Sequence, residues 1–259
     1  MKTSRLSVAL ICAFLALGQA AYAAKDQAKD KGENVVMPDV ELVDVPTAGI
    51  LDYYGFQFKT RAYSAGGVLT GLNFGVLERL NLGASMAVDR LIGSETHIKM
   101  RRPEIQVKFR FYDGGYYLPS AALGYDGQGY YYQSNHDYVD YGKYLERARG
   151  LYLVGSKEIG LPSFVLHGGF NVSDFDENLL FGFLGANYTL EDKVAFMLEF
   201  DNLFHGGYPS RTNAGARLYL TPYLQLDMAV RELGAHGDFN PGMKRRGERI
   251  VQLRYNANF

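Results

Sequence analysis

The stretch RIVQLRYNANF, Arg249 to Phe259, alternates without a break. Read in steps of two, Phe259, Ala257, Tyr255, Leu253 and Val251 form an apolar row, while Asn258, Asn256, Arg254 and Gln252 form a polar one. A period of two puts the rows on opposite faces of a β-strand. A face that apolar needs an apolar partner, either a protein core or lipid.

The same alternation recurs upstream. In PEIQVKFRF, Ile105, Val107, Phe109 and Phe111 alternate with Glu104, Gln106, Lys108 and Arg110. GFQFKTRAY sets Phe56, Phe58 and Ala62 against Gln57, Lys59 and Arg61. VLTGLNFGV and LNLGASMAV follow the rule, as do eight further segments, from PSAALGYDG to ERIVQLRYNANF. Two, around Leu151 and Phe181, are apolar on both faces, so alternation alone does not orient them. The total is twelve expected strands. Connections alternate in length, tight near 78–80, 113–118, 159–162, 190–193 and 221–222, and longer near 91–102, 130–147, 202–211 and 233–247. Short turns at one end, long loops at the other and an even strand count are expected of an outer-membrane barrel.

The rival all-β arrangement is a soluble sandwich. Strand starts here come roughly every 17 residues, whereas sandwiches show turn signals about every 8–12. In the strands that can be oriented, the central apolar rows hold no Lys, Arg, Asp or Glu. A lipid face requires this, since a midplane Arg or Lys costs about 2–4 kcal/mol. The N-terminus points the same way. Lys2 and Arg5 precede an apolar run from Leu6 to Leu17, and Ala21-Tyr22-Ala23 supplies small residues two apart. This is the order of a secretory signal peptide over residues 1–23, cleaved after Ala23. Cys12, the one cysteine, lies within it after Leu10 and Ile11, so neither lipidation nor a disulfide is expected in the exported chain. The expected architecture is all-β: a transmembrane antiparallel up-and-down β-barrel of about 12 strands over residues 50–259. Residues 24–49 come between signal and barrel, as a periplasmic lead-in or a partial plug of the lumen. The final Phe259, with Tyr255, resembles the recognition signal of outer-membrane barrels, which implies the barrel-assembly machinery as a partner during biogenesis.

The polar rows collect the candidate lumen charges. The cations are Lys59, Arg61, Lys108, Arg110, Arg217, Arg231 and Arg254; the acids are Asp89, Glu104, Asp126, Glu199, Asp201, Asp227 and Glu248. Seven of each sign suit a network of ion pairs better than a strongly selective field. A formal charge of −1 gives no reason to expect nucleic acid as a partner. The stretch GYYYQSNHDYVDYGKYLER carries Tyr130, Tyr131, Tyr132, Tyr138, Tyr141 and Tyr144 on the long-loop side. Tyrosine offers a flat apolar face and a hydroxyl, suited to a sugar ring or to the membrane interface. Surface polysaccharide is therefore a candidate partner, beside outer-membrane lipid and lipopolysaccharide. Neither His167, on a lumen row, nor the Ser134-Asn135-His136-Asp137 run has a companion motif such as G-x-S-x-G or H-E-x-x-H. No catalytic, metal or cofactor site is expected.

One set of phrases resembles a known group. Pro119, Ala121, Gly124, Asp126 and Gly129, followed by Tyr152, Val154, Ser156 and Lys157, match strands of the YjbH-type outer-membrane barrels. The likeness covers Pro46 to about Asn171 and implies a non-catalytic role in envelope or exopolysaccharide biology. YjbH-type proteins are usually much longer, and no segment of this sequence is expected to form their added domains. The alternative expectation is a narrow pore for small polar solutes, and the third a lipid-modifying enzyme.

Overall fold

The computed structural model describes residues 39–93, 98–129, 148–173, 180–204, 210–234, 238–240, 243–244 and 247–258. The signal segment, residues 24–38, the tyrosines from Tyr130 to Tyr144, the Ser134–Asp137 run and Phe259 lie outside these residues. Twelve long strands form the wall: β1 (Gly55–Tyr63), β2 (Gly67–Leu77), β3 (Leu80–Asp89), β4 (Glu104–Tyr112), β5 (Ser120–Asp126), β6 (Gly150–Glu158), β7 (Phe164–Val172), β8 (Leu180–Leu190), β9 (Val194–Leu203), β10 (Arg211–Tyr219), β11 (Leu224–Arg231) and β12 (Glu248–Asn258). Each pairs antiparallel with its chain neighbour, and β12 returns to pair with β1, with Phe58 opposite Tyr255 and Lys59 opposite Arg254. The sheet is closed, which removes the exposed edges a flat sheet would present. Short extra pairings occur at Lys99–Met100 beside β3, and between Asp238–Asn240 and Met243–Lys244.

Burial along β12 explains the alternation. Arg254 is 0% exposed while its neighbour Tyr255 is 42% exposed. Ile105, Phe109, Leu153, Leu198 and Val251 share the outward, exposed row. A soluble protein rarely leaves such a continuous apolar surface uncovered; around a closed barrel it is the lipid face. The two strands that alternation leaves unoriented are settled here. Leu151, Leu153, Leu180 and Leu184 face outward, whereas Tyr152, Val154, Phe181 and Phe183 are buried inside. At the tight-turn end, Tyr53, Tyr54, Tyr117 and Tyr223 are exposed, at the level where amphipathic rings anchor a barrel at the interface.

Residues 39–51 are not part of the wall. They run inside the barrel, where Leu42, Val43, Val45, Ala48, Ile50 and Leu51 are fully buried. Twelve strands give a lumen between that of small barrels filled by side chains and that of wide porins. Here that space holds a piece of backbone.

Candidate functional site: the lumen and its inner segment

The inner segment turns back on itself. Leu42 N–H donates to the Val45 carbonyl at 2.9 Å, Thr47 N–H to Val40 at 3.2 Å, and Glu41 bridges to Pro46. The tip of this loop points at β9. Backbone N–H groups of Val43, Asp44 and Val45 all donate to Glu199 Oε1, at 2.7, 2.9 and 2.9 Å. Three successive amides converging on one carboxylate form an anion nest. Asn213 Nδ2 adds a fourth donor at 2.9 Å, so the fully buried Glu199 is satisfied without a cation at its own oxygens.

Carbonyls of the segment are met by wall cations. Lys108 Nζ donates to Val40 at 2.6 Å, Thr47 at 3.1 Å and Gly49 at 3.2 Å. Arg217 of β10 reaches the Glu41 and Leu42 carbonyls, and Arg254 of β12 the same pair from two strands along the wall. Arg61 donates to Val43 and Arg149 to Asp44. Backbone removed from water must find partners, and this wall supplies them.

The acidic side chains of the segment complete an ion-pair network. Asp39 meets Arg217 at 2.5 Å, and Glu41 meets Lys59 at 3.0 Å and Arg254 at 3.4 Å. Asp44 lies between Arg61 at 2.7 Å and Arg231 at 2.6 Å. The same arginines also hold wall acids: Arg217 is bidentate on Asp227, Arg254 meets Asp227 at 3.0 Å, and Arg231 meets Glu248 at 2.5 Å. Burial works to raise the carboxyls of Glu41 and Asp44. The cations beside them outweigh it, Lys59, Arg254 and Arg61 for Glu41 and Arg231, Arg61 and Arg211 for Asp44, and both groups are held well below the usual carboxylate range.

The wall at β5, β6 and β8 gives an apolar side, where Val45 and Ala48 pack with Ala122, Tyr152, Val154 and Phe183. Leu42 and Val43 pack with a second apolar group, Tyr63, Leu69, Ala87, Met197, Ala229 and Ile250, from β1, β2, β3, β9, β11 and β12. Gly185 permits this approach, since a Cβ there would stand 2.7 Å from Leu42 Cδ1 and 3.2 Å from Val45 Cγ1. A polar chain crosses the apolar side. Ala48 N–H donates to Ser156 Oγ at 2.8 Å, Ser156 lies 2.7 Å from His167 Nδ1, and His167 Nε2 lies 2.8 Å from Asn187 Oδ1. His167 faces the lumen, as alternation places it, and serves here to orient the serine that anchors the segment. Between segment and wall there is a cavity of about 40 Å³, bordered by Glu41, Lys59, Asn73, Asn81, Lys108 and Asp126. This is water-sized space.

Most of the anticipated lumen charges converge on this network: Lys59, Arg61, Lys108, Glu199, Arg217, Asp227, Arg231, Arg254 and Glu248 all touch the segment or a group that does. Asp201 is buried with Arg149 and Arg211. Asp89 is buried with Arg101 and Tyr63. Asp126 accepts from Gln106 and Gln128, beside the cavity. Arg110 is displaced from this group: it is half-buried at the tight-turn rim, 3.0 Å from Asp113. Glu104 is likewise half-buried, at the first position of β4. Tyr255 faces outward beside Phe56, with ring centroids 5.9 Å apart. Alternation did not single out Asp39, Glu41, Asp44 and Arg149. The trace of the three acids in the sequence is the acid-and-aliphatic run DVELVDV ahead of β1, while Arg149 stands just before β6.

A closed twelve-stranded antiparallel barrel with a lipid-facing apolar surface and a charged interior defines the class: this is an outer-membrane β-barrel protein of a Gram-negative bacterium. No known protein family matches the chain, and no curated protein does either. Among solved structures, the "KdgM porin" is similar over 78% of this chain and 98% of its own, with a TM-score of 0.50 and 8% identity. The outer-membrane protein Omp33 of Acinetobacter baumannii matches over 81% of this chain and 99% of its own, at TM-score 0.36 and 13% identity. The outer membrane channel DcaP of the same organism gives 79% and 96%, at TM-score 0.30 and 9% identity. At 8% identity, the likeness to the KdgM porin is one of fold.

Proposed function

We propose that the protein is a narrow, non-catalytic outer-membrane channel for small polar solutes, closed by its own residues 39–51 acting as a plug. The observation that carries this reading is that the barrel closes without the plug. The β12–β1 ladder and all other wall pairings are complete, and residues 39–51 add no strand to the sheet. Their release therefore breaks no hydrogen bond between wall strands and uncovers a charged lumen.

Single-channel recording of the refolded protein in a planar bilayer tests it, after a heat-dependent gel shift has verified folding. The wild type should be closed for most of the record. Gly185→Val brings two further methyls onto Leu42 and Val45 and should give sustained currents. A folded Gly185→Val barrel that stays silent would remove the channel reading.

A further inference from the structure

We infer that the lumen is a binding site for small organic polycarboxylates, and that the acidic plug occupies it as an internal stand-in. This deepens the channel reading and rests on it for access to the site.

The two sides of the lumen differ in chemistry. On the side of β1, β10, β11 and β12 stand five cations in two groups: Lys59, Arg254 and Arg217 share Glu41 and Asp227, Arg61 and Arg231 share Asp44, and Gln252 bridges the groups by bonding Arg61 and Asp227. Among them the wall itself contributes two carboxylates, Asp227 and Glu248. The other three come from the plug: Asp39, Glu41 and Asp44. Plug in place, these five cations meet five acids. Plug out, they keep Asp227 and Glu248, with Glu199 beside the place of Asp44, so cations stay in excess, and four of the five are arginines, whose planar forks suit carboxylates. The wall opposite, carrying Ala122, Tyr152, Val154 and Phe183, now holds the aliphatic residues Val45 and Ala48. A solute with several carboxylates and a carbon skeleton turned to the other side reproduces both contacts. A polyamine would meet the cations and reproduce neither.

The site is tested in the full-length chain with Asp39→Asn, Glu41→Gln and Asp44→Asn combined, which keeps side-chain size and removes the three plug charges. A gel shift verifies folding, and Asp44→Asn alone serves if the triple variant does not fold. Citrate is the probe, spermidine its cationic control. Calorimetry in detergent should show citrate binding to the variant and none to the wild type. Reversal potentials in a KCl gradient should show chloride preferred over potassium by at least about threefold, as expected when one sign of charge lines a confined path. Adding Arg61→Gln and Arg217→Gln should abolish both effects.

The two proposals separate cleanly. Citrate binding to a barrel that never conducts would keep the site and remove the channel. Open currents without anion preference and without citrate binding would remove the site and keep the channel. A folded variant showing neither overturns both.

Discussion

Glu199 takes almost nothing from its own surroundings on the strand. Its oxygens are filled by amides 154 to 156 positions earlier in the chain, with Asn213 adding a donor from the wall. Alternation makes its inward facing readable, since it stands between the outward residues Leu198 and Phe200. Its partner was not readable, because a backbone N–H carries no residue-type signature. The residue-scale prediction follows from donor and acceptor matching. Leaving a buried donor without its acceptor costs about 1–3 kcal/mol. Glu199→Gln keeps the shape but places an amide N–H2 where a carboxyl oxygen accepted. Losing even about 1.5 kcal/mol of plug docking raises the open fraction roughly tenfold. Open probability in single-channel records should rise accordingly, with unit conductance unchanged. An unaltered open probability would mean that the nest does not hold the plug.

At the scale of elements, the strands legible in advance were those with one polar face. β6 and β8 resisted because they are apolar on both sides, and the reason is now physical: their inner faces pack against the plug instead of lining a polar lumen. Gly124 and Tyr152 also gain a packing explanation. Gly124 of β5 stands opposite Tyr152 of β6, and a Cβ at Gly124 would fall 2.3 Å from the Tyr152 ring. The glycine makes room for an aromatic laid across the neighbouring strand, a structural reason for that pair. Adjacent residues on β6 should respond differently. Leu153→Arg puts a charge on the lipid face and should weaken insertion by about 2–4 kcal/mol, measured by urea titration of folding into vesicles. Val154→Ala trims the plug's contact by two methyl groups. It should leave insertion nearly unchanged and raise channel opening. If both variants impair insertion equally, the facing of β6 is misassigned.

For the whole molecule, the sequence tally of seven lumen cations and seven acids was balanced, yet the balance lay in a different set of groups. Asp39, Glu41 and Asp44 precede the first strand, where no periodicity marks them as lumen residues, and Arg149 lies just before β6. What alternation conveys is which wall residues face inward; it cannot say that the chain leading into the barrel folds back through it. This arrangement sets the pH response of closure. Glu41 and Asp44 have depressed carboxyls when the plug is docked, against ordinary values of 4.5 and 3.8 when it is released. A group depressed in the docked state favours docking fully above its released value and loses that contribution as pH falls towards the docked one. Their cationic partners stay charged throughout that range. The contribution of these two carboxylates to closure should therefore be the same at pH 7 and pH 5, and fall only as the medium becomes strongly acidic, below about pH 4. Being buried, these pairs should also respond little to salt. Current recordings at stepped pH and at low and high KCl check both expectations. Opening that increases between pH 7 and pH 5 would assign the latch to a group other than these two carboxylates.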